Sequence, residues 1–125
     1  MENKNNPLSP HIQIYRWHIS SLLSITHRIV GILNFVAIIV ISFLLIFSKS
    51  NPQLLQIFSQ SFVGKFFILA LCWSFSFQIL NEIRHLSWDM GIGFDLKISK
   101  ITGMITIFGS FVLTVLLYLI GKNLF

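Results

Sequence analysis

Three stretches of this chain are long and apolar enough to cross a bilayer, and no other feature limits its fold so strongly. Ile29 to Phe47 is apolar apart from Asn34 and Ser42, and Ile101 to Gly121 is closed at its two ends by Lys100 and Lys122. Between them, Phe66 to Asn81 is charge-free. It reaches a full crossing when extended back past Lys65 through Phe62 and Phe58, with the Lys65 stem snorkelling at the boundary. A hydrocarbon core of about 30 Å takes about 20 helical residues. Transmembrane strands would be shorter and would alternate in polarity, which these segments do not. The expected fold class is therefore an all-α integral membrane protein. It has three spans, about 24–47, 58–82 and 101–121, in one domain over 1–125 with a polar tail at 1–18. Composition agrees, because only 10% of residues are charged where a soluble domain carries about 25%.

Charge sets the expected orientation. With three spans, the N-terminus and the second connection share a side holding Lys4, Arg16, Arg28, Arg84, Lys97 and Lys100, against Lys49, Lys65 and Lys122 opposite. Basic residues favour the inner face, so the N-terminus is expected inside. The net charge of +5 is mostly this topology signal, since no block of consecutive basic residues suggests nucleic acid. Cys72, the single cysteine, lies mid-span and is expected to be a packing thiol. The tail lacks the apolar core of a secretory signal and the Arg-rich pattern of a transit peptide. Insertion where the chain is made is expected, in a bacterium or from an organelle's own genome.

Local signals fill in the connections. Pro7 and Pro10 disfavour helix in the tail, and Tyr15 and Trp17 suit the headgroup level. The segment His11 to Trp17 alternates, as an extended stretch or an interfacial helix would. Ser20 or Ser21 is placed to cap the first helix, Ser48 to Pro52 reads as a turn, and Gly91 and Gly93 end the second helix near Trp88.

The titratable groups are all at one end. His11, His18, His27 and His85, with Glu2, Glu82, Asp89 and Asp95, fall on the inner side, and the opposite side has little beyond its lysines. Ser24, His27, Arg28 and Gly31 follow the i, i+3, i+4, i+7 spacing of one helix face. Arginine entering a span is unfavourable by about 2.5–3.5 kcal/mol at the helix centre, so this face is expected against protein, a cofactor or water. The alternative is a plain boundary arginine with its neighbours in the headgroups. On the second helix, Gln78, Asn81, Glu82, His85 and Asp89 step by three or four into a polar stripe. That stripe could be a frayed, water-sinking end, but Gln78 lies about 10 Å deeper than His85. A glutamine at that depth hydrogen-bonds another helix or faces a bound group. No metal-ligand spacing, phosphate loop or nucleophile elbow is present, so chemistry by this chain alone is not expected.

The run Pro7-Leu8-Ser9-Pro10-His11 with Ile14-Tyr15, followed by Ser24-Ile25-Thr26-His27-Arg28-Ile29-Val30-Gly31, resembles the first signature of a known family. That family is the cytochrome b subunit of succinate dehydrogenase, the larger membrane anchor of respiratory complex II. Ile83-Arg84-His85-Leu86-Ser87-Trp88-Asp89-Met90-Gly91 resembles its second signature, and the likeness covers essentially the whole chain. The resemblance implies a non-catalytic subunit of succinate:quinone oxidoreductase, serving the tricarboxylic acid cycle and electron transport. It would lie in the mitochondrial or a bacterial inner membrane. A smaller membrane-anchor subunit would complete the bundle, and the iron–sulfur and flavoprotein subunits would dock on its inner face. By motif position, Ser24 and Arg28 match the quinone-site serine and arginine, with ubiquinone as the substrate, and His27 matches a histidine near the haem propionates.

The departures concern haem b. The resemblance implies an axial histidine seven residues before His85 and a glycine just after Asn81, where this chain has Gln78 and Glu82. His85 is then the remaining imidazole of helix two that could meet a haem iron, about 10 Å nearer the boundary. Asn6 before Pro7, and Val30, also depart from the pattern. Two other readings remain: a purely structural anchor with the quinone held by partner chains, and a small transporter subunit lined by the helix-two stripe.

Overall fold

A computed structural model describes residues 18–124. The signature residues Pro7 to Tyr15, and the segment His11 to Trp17, lie outside these residues. Four helices follow in chain order: α1 (Ile19–Ser48), α2 (Pro52–Gln60), α3 (Phe62–Asp89) and α4 (Leu96–Leu124). No strand occurs among the described residues. Three of the four, α1, α3 and α4, are long and apolar enough to cross a membrane. At 30, 28 and 29 residues each is about 42–45 Å long, so their ends extend past a hydrocarbon core.

Two local features differ from the sequence-based expectation. His18, in extended conformation, is the N-cap of α1, and Ser20 and Ser21 lie inside the helix. Phe58 belongs to the separate short helix α2, because Ser61 is extended (φ −61°, ψ 149°) and interrupts the helical path before Phe62. The corner is tight: a Cβ on Gly64 would collide with the Phe58 carbonyl oxygen. At its other end α3 stops as expected. Gly91 and Gly93 take φ of +81° and +83°, open to glycine without a side-chain clash, and Ile92 N–H donates back to Ser87 O at 2.9 Å.

The interior is small, as in a chain that needs lipid or partners around it. Leu23, Val30 and Phe77 form its buried apolar core, with Ile19, Trp73 and Ile107 against them. Most large apolar side chains on α1 and α4 point outward. The most extensive helix contact is α3 with α4. The α4 face turned inward carries the small residues Ser99, Gly103, Thr106, Ser110 and Thr114, which let two backbones approach. Their hydroxyls are satisfied locally: Thr106 donates to Thr102 O at 2.9 Å, Ser110 to Ile107 O at 2.6 Å and Thr114 to Ser110 O at 2.6 Å. α1 is tied to α3 in mid-span by Asn34, whose Oδ1 accepts from Ser74 Oγ at 2.6 Å.

Candidate functional site

The polar residues gather where the N-terminal turns of α1 and α4 meet the C-terminal turns of α3. His27 is the centre on α1. Its Nε2 lies 2.9 Å from Gln78 Nε2 and 3.0 Å from Glu82 Oε1, and its ring meets the His85 ring edge-on at 5.0 Å between centroids. One ring nitrogen thus faces two neighbours with opposite demands. Unprotonated, it accepts from the Gln78 amide; protonated, it donates to the Glu82 carboxylate. Gly31, one turn further along α1, leaves the notch that Gln78 fills, for a Cβ there would stand 3.3 Å from Gln78 Nε2.

The two stripes expected from spacing are each divided by the packing. On α1, His27 and Gly31 turn toward α3, whereas Ser24 is half-buried and Arg28 exposed on the rim. Arg28 has no hydrogen bond or ion pair among the described residues. On α3, Gln78 bonds α1 as a deep glutamine should, and His85 packs against the His27 ring. Asn81 turns fully inward, with neither amide atom partnered. Glu82 and Asp89 remain exposed.

Two residues matter more here than their sequence positions suggest. Arg84, expected as an inner-side charge within the second signature, is only 5% exposed. Its Nη2 donates to Ser99 O and Ser99 Oγ, both at 3.1 Å, and its Nε to Thr102 Oγ1 at 3.3 Å. Its Cζ lies 4.2 Å over the Trp88 ring. Trp88, expected as a boundary anchor, also donates from Nε1 to Gly93 O at 3.2 Å and stacks on His85 at 5.3 Å. The available signal was the small inward face of α4: Ser99, Thr102 and Gly103 leave room for a guanidinium.

Across residues 2–117 the chain matches the family model described as the succinate dehydrogenase/fumarate reductase transmembrane subunit. This chain belongs to that family. Among relatives of this transmembrane subunit, the succinate dehydrogenase cytochrome b556 subunit of Rickettsia felis is 40% identical over 112 residues, covering 90% of each chain. The cytochrome b556 subunit of Paracoccus denitrificans is 30% identical over 115 residues, covering 90% of this chain and 88% of its own. The cytochrome b560 subunit of Marchantia polymorpha is 37% identical over 121 residues, covering 83% and 82%. The chain is thus a member of a transmembrane-subunit family, all-α among its described residues, with three apolar helices able to cross a membrane.

Proposed function

We propose that this chain anchors the flavoprotein and iron–sulfur subunits of succinate dehydrogenase to an inner membrane, mitochondrial or bacterial. With a smaller anchor subunit, it forms the ubiquinone-reduction site at the inner boundary, and its N-terminus is on the inner side. The observation that carries this reading is the pairing of half-buried Ser24 with exposed, unpartnered Arg28 at the end of the apolar run of α1. Both belong to the motif on which the resemblance rests.

The chemistry asked of these residues is modest. Ubiquinone takes two electrons and two protons to become the quinol, the electrons arriving from the iron–sulfur subunit. The Ser24 hydroxyl can donate a hydrogen bond to one quinone oxygen. The Arg28 guanidinium, with no internal partner among the described residues, is available to stabilise negative charge as that oxygen is reduced. Preorganised donors of this kind act most strongly where water is excluded. The apolar side chains Ile25 and Ile29 beside them suit a quinone's hydrophobic body. No observation favours a transporter, since the α4 hydroxyls are bonded within their own helix.

The relatives' names denote a b-type cytochrome, so a haem has to be tried against these residues. At Gln78 they do not fit one: an amide stands there, bonded toward His27, and amides are not the usual axial ligands of such iron. The proposed electron route therefore runs from the iron–sulfur subunit to the quinone directly.

Co-purification tests the assembly directly. A tagged chain drawn from its native membrane should bring flavin, iron–sulfur absorbance and succinate-oxidising activity with it. A chain recovered without any of these would refute the reading.

A further inference from the structure

We infer that Gln78 closes this chain to haem ligation, so that the assembled complex carries no low-spin b-type haem. The inference rests on the complex II reading above, and it runs against what the relatives' names lead one to expect.

A b-type haem held among helices needs an imidazole whose lone pair points at the iron, together with room for the flat macrocycle. Among the described residues the histidines are His18, His27 and His85. His18 is exposed at the N-cap of α1. His27 has its Nε2 in reach of the Gln78 amide at 2.9 Å and the Glu82 carboxylate at 3.0 Å, so that one or the other engages it. Gln78 itself fills the notch over Gly31, so that even a Cβ there would meet its amide. His85 has its Nδ1 enclosed by protein without a partner. Its ring is held between the edge of His27 at 5.0 Å and the face of Trp88 at 5.3 Å. Trp88 in turn sits under Arg84. A macrocycle on His85 would have to part this stack. Charge acts in the same direction, since haem brings two propionates and Glu82 adds a third carboxylate beside any group seated against His27. Without iron, Gln78 still ties α3 to α1 through His27.

Reduced-minus-oxidised spectra and pyridine haemochrome assays on the purified complex test this, with flavin as the measure of complex present. The wild-type complex should show no low-spin b signal, with haem far below one per flavin. Gln78→His, which removes the amide and offers an imidazole over Gly31, should introduce such a signal, more strongly when combined with Glu82→Gly. One low-spin b haem per flavin in the wild type would overturn the inference. If the wild type lacks haem and both variants still lack it, Gln78 is not what closes the site. Failure of the underlying reading looks different, because the preparation would then lack flavin and succinate oxidation altogether.

Discussion

At the scale of single residues, the contrast between Arg28 and Arg84 is the most informative. Both were legible as inner-side positive charges, and Arg28 also as part of the Ser24–Gly31 face and the quinone-site motif. In the fold one is exposed and unpaired, while the other is buried, bonded to α4 and laid over an indole. Burying a guanidinium is strongly unfavourable unless it is bonded; Arg84 bonds α4 through Nε and Nη2, with Nη1 buried and unpartnered, and so has a structural duty that Arg28 lacks. Arg84→Leu removes charge-assisted bonds of the kind that contribute about 1.5–3 kcal/mol each, while Thr102 keeps its own bond to Ser99 O at 3.1 Å. The expected result is a lowered thermal midpoint of the purified complex; an unchanged midpoint would mean that Arg84 ties nothing. The sequence could place Arg84 near the boundary but not assign its direction, because the side chain's partners come from residues fifteen and eighteen positions on.

At the scale of helices, the spans were legible because hydrocarbon imposes length and exclusion of charge, which a sequence displays openly. The break at Ser61 was not, since it lies in one residue's extended backbone between two helical segments. The close approach of α1 to α4 was equally hidden. A Cβ on Gly103 would stand 2.7 Å from Leu23 Cδ1 and 3.2 Å from Ile19 Cγ2, so this glycine sets how near α1 can come. Gly103→Ala should destabilise by about 1–3 kcal/mol through overpacking. Adding Leu23→Ala removes the nearest clashing atom, so the two changes should be non-additive in thermal midpoint. Strict additivity would show that the contact is not the cause. The site was legible in outline for a related reason: i, i+4 spacing finds a face, but which part of it turns inward depends on the neighbouring helix. Hence Gln78 was recognised as a deep hydrogen-bonding residue, whereas the division of Ser24 and Arg28 from His27 and Gly31 was not.

At the scale of the whole molecule, the polarity of the chain has a direct test. With the N-terminus inside, a cysteine introduced at Ser9 should be labelled by an impermeant thiol reagent only from the inner side, and one introduced at Lys122 only from the outer side. Reversed labelling would invert the placement of every titratable group discussed here. The central claim is that an anchor with little chemistry of its own presents Ser24 and Arg28 to a quinone. The most direct measurement compares two activities of one purified complex carrying Arg28→Leu: succinate oxidation with a water-soluble dye, and succinate oxidation with ubiquinone. Loss of a hydrogen bond to a developing charge is worth about 1.5–3 kcal/mol, which corresponds to roughly a tenfold to hundredfold slower rate. The ubiquinone rate should fall by that factor while the dye rate stays at the wild-type level. An assembled Arg28→Leu complex that reduces ubiquinone as fast as wild type would contradict the assignment.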